Sequence, residues 1–132
     1  MHLLLIAREG VDLNTTLFAS ETSREILRFY RPEKRSYGIS IRVISLGAAL
    51  SLAAELRWYL RRYVALTLFE MAPRRFCTLA YAHAIEEREV DPDTPPTDRR
   101  YLVIRDGTVR EANAGDEGAV EVWALPGERI TV

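Results

Sequence analysis

The chain has 132 residues, of which 48% are hydrophobic and 28% are charged, and its formal net charge is −1. This length and composition are typical of one globular domain with its own core, and the near-zero charge gives no overall attraction to nucleic acid or to an anionic membrane. Cys77 is the single cysteine, which argues against a disulfide framework and is typical of a cytoplasmic protein.

Charge is distributed unevenly along the chain. Residues 1–76 hold twelve Lys and Arg against seven Asp and Glu, whereas residues 77–132 hold six against twelve. The first part therefore carries a net charge of +5 and the second a net charge of −6. This asymmetry predicts either a basic face or attraction between the two parts of the fold, and the sequence leaves both open.

The polar composition indicates adaptation to heat. Gln is absent and Asn occurs only at positions 14 and 113, while seventeen of the eighteen cationic residues are Arg and the other is Lys34. Depletion of thermolabile amides is typical of thermophilic proteins, whereas a high genomic GC content would also favour Arg. We expect a thermophilic source.

The N-terminal part predicts strands followed by a helix. Residues 2–7 (HLLLIA) and 15–19 (TTLFA) are short apolar runs around the turn-like EGVDLN, and we expect both to be strands. Thr22 and Glu25 have the spacing of a capping box, which satisfies free backbone N–H groups and predicts a helix from about Ser23.

Residues 31–63 predict a connection, a strand and a long helix. Pro32 should end the first helix near Tyr30, because the residue before a proline disfavours helical geometry, and PEKRSYG then forms the connection. The strand that follows has Ile39, Ile41 and Val43 on one side and Ser40, Arg42 and Ile44 on the other. After Gly47, helical spacing predicts one buried face, formed by Ala49, Leu50, Ala53, Leu56, Leu60 and Tyr63.

Neither a signal peptide nor a membrane span is expected. The apolar start lacks a basic leader and is stopped by Arg8 and Glu9. Between Arg42 and Glu55 only twelve residues are uncharged, fewer than the roughly 20 that a spanning helix needs. We therefore expect a cytoplasmic protein that does not bind a membrane.

The C-terminal half predicts mostly strands. VALTLFEM (64–71) is a strand, and for FCTLAYAHA (76–84) we favour a strand, with a helix as the alternative. DPDTPPTD (91–98) is a loop. YLVIRDGTVREA (101–112) is a hairpin that turns at Asp106-Gly107, AVEVWAL (119–125) is a strand, and PGERITV is a short last strand.

Together these elements predict a single α/β domain over residues 1–132. We expect a mixed, mostly antiparallel sheet with two helices on one face and a β-rich C-terminal part. The 91–98 loop leaves open the alternative that residues 99–132 form a β-rich appendage, although this segment is small for independent folding.

No catalytic or metal-binding signature stands out. Cys77, His83, Glu86 and Glu87 lie near one another in sequence but lack the ligand number and spacing of a zinc site. On one strand, Cys77 and His83 would share a face but lie too far apart for a nucleophile and its base. We therefore predict a non-enzymatic protein without a cofactor or metal.

Arginines recur at helical spacing in the first half. Arg24, Arg28, Arg31 and Arg35 follow at intervals of four, three and four, beside Lys34, and the aromatic residues Phe29, Tyr30 and Tyr37 lie between or next to them. Arginines that reach phosphates beside an aromatic side chain are typical of nucleic-acid binding. The alternative is a salt-bridged surface neutralised by Glu21, Glu25 and Glu33. A second candidate patch contains Arg57, Arg61, Arg62, Arg74 and Arg75.

The stretch IRVISLGAALSLAAELRWYLRR resembles the central segment of the Alba family of archaeal chromatin proteins, in which a strand ends at a glycine before a helix with a small-residue start and a basic end. The matching residues are Gly47, Ala49, Leu50, Ser51, Ala53 and Arg61. The resemblance covers about residues 15–72 and implies a first strand at TLFAS, a helix at SREILRFY and a second strand at GISIRVIS. It places the third strand at VALTLFEM and a fourth at AVEVWAL.

The resemblance implies nucleic-acid binding, with altered contacts. Ser20 and Glu21 stand where the family has a basic pair after the first strand, and Leu46 and Ala48 flank Gly47 where a basic residue is usual. Contacts to phosphates would then come from other cationic residues: Arg24, Arg28, Arg31, Lys34, Arg35, Arg57 and Arg61.

We expect a small, non-enzymatic domain of a thermophilic archaeon that binds DNA or RNA and forms a homo-oligomer, a dimer in the simplest case. The alternative is a protein-interaction module, either a homodimer or a subunit of a larger assembly, without affinity for nucleic acid. Its motivation is the near-neutral charge together with Trp58, Tyr59 and Trp123, because arginine and aromatic residues are enriched at interface cores.

Overall fold

The computed structural model describes residues 1–97, 99–105 and 108–130. Within these ranges the chain forms eight strands and five helices. The strands are β1 (His2–Ala7), β2 (Glu33–Arg35), β3 (Gly38–Arg42), β4 (Val64–Ala72), β5 (Arg75–Thr78), β6 (Arg99–Arg105), β7 (Thr108–Ala112) and β8 (Ala119–Trp123). The helices are α1 (Leu13–Ala19), α2 (Glu21–Leu27), α3 (Leu46–Glu55), α4 (Arg57–Tyr63) and α5 (Leu79–Glu86).

All eight strands belong to one sheet in the order β2-β3-β1-β4-β5-β8-β6-β7. β5 and β8 are parallel, and the other neighbouring pairs are antiparallel. β8 lies between β5 and β6, so the C-terminal strands share the sheet with the N-terminal ones. The predicted fold class, an α/β protein with a mixed and mostly antiparallel sheet, is confirmed.

One face of the sheet packs against the helices. Its core contains Leu5, Ile39, Ile41, Phe69 and Trp123, and each of the five helices contributes to this core, through Leu13, Leu17, Leu27, Ala49, Leu50, Ala53, Tyr59 and Tyr81 among others. The predicted inward side of β3 and the predicted buried face of the long helix are confirmed, because alternating and helical spacing place these residues against the sheet. The helix layer has five members in the described ranges, rather than two, and the long helix is divided at Leu56.

The opposite face forms a second apolar cluster, to which no helix contributes within the described ranges. Leu4, Leu68, Phe76 and Leu102 are buried there, on β1, β4, β5 and β6. Tyr37, beside β3, and Val109, on β7, line one cleft although these strands lie near opposite ends of the sheet order. The sheet therefore curls around this cluster, as accumulated strand twist favours.

Two predictions near the N-terminus are wrong. TTLFA (15–19) is part of α1, in which Leu13 and Leu17 are buried four residues apart and the Asp12 carboxylate accepts the Thr15 N–H at 3.1 Å. α2 begins at Glu21 with Ser20 as its N-cap, so the predicted capping box at Thr22 does not form. The Asp12 cap thus begins a helix where a strand was predicted, and the Ser20 cap begins α2 before the predicted start at about Ser23.

Several C-terminal predictions also need correction. The strand favoured for 76–84 ends at Thr78, whose hydroxyl caps α5 by accepting the Tyr81 N–H at 3.2 Å. Residues 126–130 form no strand, so the predicted last strand is wrong over its described part. β6 and β7 pair as predicted, from Tyr101↔Ala112 to Arg105↔Thr108. The predicted turn at 106–107 lies outside the described residues, and so does position 98 of the predicted loop. The predicted connection before β3 contains the short edge strand β2.

Among the described helices, none combines the length and the apolar character needed to cross a bilayer.

Candidate nucleic-acid interface

The helix α4 presents an arginine-rich surface beside an exposed indole. Its sequence, RWYLRRY, contains three arginines and no carboxylate, and Arg57, Arg61 and Arg62 are all exposed while Tyr59 is buried. Trp58 is 54% exposed, with the Arg62 guanidinium carbon 4.6 Å from the centroid of its ring. Tyr59 packs edge-on against the indole at 5.0 Å. The indole is thus held in place with one part open to solvent.

The predicted arginine stripe is interrupted where α2 ends. Only Arg24 lies within α2, because the helix stops at Leu27. Arg28 lies in the turn that follows, and Arg31 lies in the connection to β2. Arg28 forms an ion pair with Glu25 at 2.6 Å, and its guanidinium carbon lies 4.4 Å from the Phe29 ring centroid. Phe29 is 81% exposed. Among the described residues, Arg24 and Arg31 have no carboxylate partner within 4.0 Å.

Lys34 and Arg35 lie on the edge strand β2 and line a cleft of about 480 Å³. Arg35 forms an ion pair with Glu33 at 2.7 Å, which partly neutralises it. The pKa of the Asp12 carboxyl, also at the cleft, is lowered by its hydrogen bond from Thr15 and, to a smaller degree, by Lys34. The cleft therefore combines opposite charges and is only weakly basic.

Two contacts connect α4 to the cleft and to the start of α2. Arg8 lines the cleft and donates a hydrogen bond at 3.0 Å to the carbonyl of Arg61 in the last turn of α4. The Tyr59 hydroxyl lies 2.5 Å from Ser20 Oγ, the N-cap of α2, and this hydrogen bond lowers the pKa of Tyr59. The structure therefore brings α4 next to the start of α2 and next to the cleft that contains Lys34 and Arg35.

Sequence reasoning missed Arg8 as a member of this surface. Arg8 follows β1 directly, and nothing in its local sequence distinguishes it from a solvated loop residue. Its position depends on the pairing of β1 with β4, because the Arg8 N–H donates to the Tyr63 carbonyl at the end of α4 at 3.0 Å. This contact joins residues that are far apart in sequence, so the spacing of residues along the chain gives no indication of it.

Cys77 and His83 are separated by the fold. Cys77 lies on β5 in the helix-side core, whereas His83 is exposed on α5. Burial, with a smaller contribution from Glu128, raises the pKa of the Cys77 thiol to about 12, so the thiol is protonated at neutral pH. No group of three or more His, Cys, Asp or Glu side chains in the part of the chain that the structure describes is arranged to hold a metal ion.

These features define an α/β protein with one curled, mostly antiparallel sheet, a one-sided helix layer and arginine-rich helix surfaces. Residues 1–105 match the model of a family of unknown function, DUF5804, and the chain belongs to this family. The matched residues run from β1 to the end of β6, and β7 and β8 follow them. Comparison with curated proteins and with solved structures gives no match.

Proposed function

We propose that this protein is a non-enzymatic domain that binds DNA or RNA. The observation that carries the proposal is α4, a helix with three exposed arginines, no carboxylate and a half-exposed indole beside Arg62. The contacts to phosphates would be made by Arg57 and Arg61, together with the other predicted cationic residues Arg24, Arg28, Arg31, Lys34 and Arg35.

The chemistry of α4 suits a polyanion that carries aromatic bases. Arginine presents a planar fork of N–H donors that matches the geometry of phosphate oxygens. An exposed aromatic ring offers a face on which a base can stack, and stacking tolerates any base because each has a π-face. Binding of this kind would be largely independent of sequence and would weaken as salt rises.

Further support comes from the order of elements and from composition. β3, the α3–α4 pair and β4 follow one another as in the central segment of the Alba family, which supports an Alba-like relationship. The first strand that the resemblance implies at TLFAS does not form, because these residues belong to α1 and its C-cap. The absence of Gln and the Arg bias support a thermophilic archaeal source. A single buried thiol supports a cytoplasmic location, where disulfides are rare.

The test is a titration of labelled single-stranded and duplex oligonucleotides, followed by fluorescence anisotropy at about 50 mM salt. We expect dissociation constants in the micromolar range or tighter, and we expect Arg57→Gln/Arg61→Gln to weaken binding about tenfold, the scale of two exposed ionic contacts. The plot of the logarithm of the association constant against the logarithm of salt concentration should be less steep for this variant than for the wild type. Its slope should decrease in magnitude by about 0.7 per lost contact on single strands and by about 0.9 on duplex DNA.

The matched control is Arg42→Gln/Arg129→Gln, which removes the same charge from two other exposed positions. This variant should bind as the wild type does. Absence of binding by the wild type at about 50 mM salt would remove the proposal.

A second candidate function is a protein-interaction module that acts through a second copy of the chain. Ile44 favours it, because this side chain is 95% exposed between β3 and α3. A partner that covers Ile44 would remove its apolar surface from water, which lowers the free energy of the complex. Light scattering coupled to size exclusion should then give a dimer that Ile44→Asp converts to a monomer. A monomeric wild type at every concentration would exclude this candidate, and a dimer without nucleic-acid affinity would favour it over the first.

A further inference from the structure

α5 covers the helix-side face of the sheet as far as β8, where Tyr81 packs edge-on against the buried Trp123. α1 packs on β3, α4 packs on β4, and α5 packs on β4 and β5. The next strands, β8, β6 and β7, continue the same face. On the part of this face that β6 and β7 form, Arg99, Arg105 and Arg110 are exposed and Tyr101 is half-buried, whereas Val103 is buried.

Strand register shows which side chains share this face. Arg75 lies opposite Glu121, which lies opposite Tyr101, and Trp123, in the helix-side core, lies opposite Arg99. Across β6 and β7, Val103 lies opposite Arg110. Since residues two apart on a strand point to the same side, the charged and tyrosine side chains that these β5, β6, β7 and β8 residues place on the face, within the described ranges, are Arg75, Arg99, Tyr101, Arg105, Arg110 and Glu121.

The one carboxylate in this set is already engaged. Glu121 accepts a hydrogen bond from Trp123 Nε1 at 2.6 Å and another from the Tyr101 hydroxyl at 3.3 Å. Arg99 lies 3.8 Å from the same carboxylate. Glu121 thus fixes the position of the Tyr101 ring, and the face keeps an excess of positive charge from its arginines.

Arg75 adds a donor without a partner. Its guanidinium carbon lies 4.7 Å from the Trp123 ring centroid, and its buried Nε has no hydrogen-bond partner among the described residues. Arg110 is exposed and likewise has no carboxylate within 4.0 Å in the described ranges. Arg110 therefore keeps N–H donors open to an anion, whereas the buried Nε of Arg75 is not accessible to one.

We propose that this face binds a single-stranded nucleic acid, with Arg75, Arg99 and Arg110 on phosphates and a base stacked on Tyr101. The inference rests on the proposed function and deepens it by adding a second contact surface and a preference for single strands. Every cation on the face is an arginine, which binds phosphate through two parallel N–H bonds. Stacking on Tyr101 requires an unpaired base, which a duplex does not offer.

The first test compares neighbouring arginines that point to opposite faces of β6. Arg99 lies on the proposed face, whereas Arg100 pairs with Glu111 on the other side. On a labelled oligothymidine about 16 nucleotides long, Arg99→Gln should weaken binding and Arg100→Gln should not. Arg99→Gln/Arg110→Gln should weaken it about tenfold and lower the salt slope by about 1.4.

The second test separates stacking from charge. Tyr101→Leu should weaken single-strand binding about fivefold or more and leave duplex binding unchanged, because one base–aromatic contact is lost. Tyr101→Phe keeps the ring and loses only the hydrogen bond to Glu121, so it should weaken single-strand binding less than Tyr101→Leu does. Circular dichroism and thermal melting establish that each variant is folded.

The outcomes distinguish this inference from the proposed function. If the wild type binds and Arg57→Gln/Arg61→Gln weakens binding while Arg99→Gln/Arg110→Gln does not, the sheet-face inference alone is overturned. Equal effects of Arg99→Gln and Arg100→Gln, or wild-type affinity in Tyr101→Leu, also overturn it. Polyglutamate that competes as strongly as the oligothymidine would assign the face to an acidic peptide instead. If the wild type binds no nucleic acid, the proposed function fails and this inference fails with it.

Discussion

Gly38 packs directly against the Leu5 carbonyl, so closely that a Cβ at position 38 would overlap the Leu5 oxygen. Gly38 opens β3 and lies opposite Ile6 of β1, with φ of 150°, a conformation that side-chain-bearing residues rarely adopt. The junction of β1 and β3 therefore depends on glycine both for its backbone conformation and for the space beside the neighbouring strand.

We expect Gly38→Ala to lower the free energy of unfolding by about 3 kcal/mol, because steric overlap adds to backbone strain. Gly10 is the matched control, since it also has positive φ, at 79°, but a methyl group at this position would have no atom within 4 Å. Gly10→Ala should cost only about 1 kcal/mol. Urea denaturation of both variants measures the difference, and equal costs would contradict the steric explanation.

The N-cap of α3 provides a second prediction. Ser45 Oγ accepts the Ala48 N–H at 3.1 Å, and Ser45→Ala should lower the free energy of unfolding by about 1 kcal/mol. Ser51 is exposed within the same helix, where Ala has the higher helix propensity, so Ser51→Ala should be neutral or stabilising by about 0.5 kcal/mol. The same substitution should thus have opposite signs at the two positions in chemical denaturation, and a loss of stability at both would argue against the capping role.

Because the Cys77 thiol is buried, we expect the protein to lose stability at alkaline pH. Burial raises the pKa of its thiol from 9.0 to about 12, with a smaller contribution from Glu128. In the unfolded chain the thiol loses its proton near its ordinary pKa, whereas the folded protein retains it. The stability that the buried, protonated Cys77 thiol contributes is therefore fully present below about pH 9 and is lost as pH rises toward 12. Burial also raises the pKa of Tyr37 and that of Tyr81, so both groups add to this loss of stability at alkaline pH.

Thermal melting across alkaline pH measures this loss. The melting temperature should fall above about pH 9, and the fall should be shallower in Cys77→Ala, with each protein referred to its own value at pH 7. A thiol reagent at pH 8 should label the native protein slowly and the urea-unfolded protein fast, because the buried thiol is neutral and inaccessible. Fast labelling of the native protein would contradict the burial of Cys77.

The composition predicts resistance to heat. With no Gln and two Asn, we expect a melting temperature of about 80 °C or higher at neutral pH. Differential scanning calorimetry measures it, and repeated scans after incubation at high temperature show whether unfolding is reversible. A midpoint of about 45–65 °C, the range of mesophilic domains, would contradict the expectation of a thermophilic source.

The regular apolar patterns were readable from sequence because they are local. Alternation at Ile39, Ile41 and Val43 predicts a strand with one buried side, and the structure has that strand. By contrast, TTLFA and FCTLAYAHA are short apolar runs that fit either a strand or a helix. Their outcome depended on the Asp12 and Thr78 caps and on packing against the sheet, which spacing along the chain does not specify.

Hydrophobic periodicity acts over neighbouring residues, and it predicted the α/β class, the strands β1, β3, β4, β6, β7 and β8, and the helical position of Arg57 and Arg61. The helical stripe predicted for Arg24, Arg28, Arg31 and Arg35 was wrong beyond Arg24. The entry of β8 between β5 and β6 was not predicted. Neither was the placement of Arg99 and Arg110, from an acidic C-terminal segment, on the same face of the sheet as Arg75. Strand order and sheet curvature arise from contacts between residues distant in sequence, and which arginines share a face follows from that order.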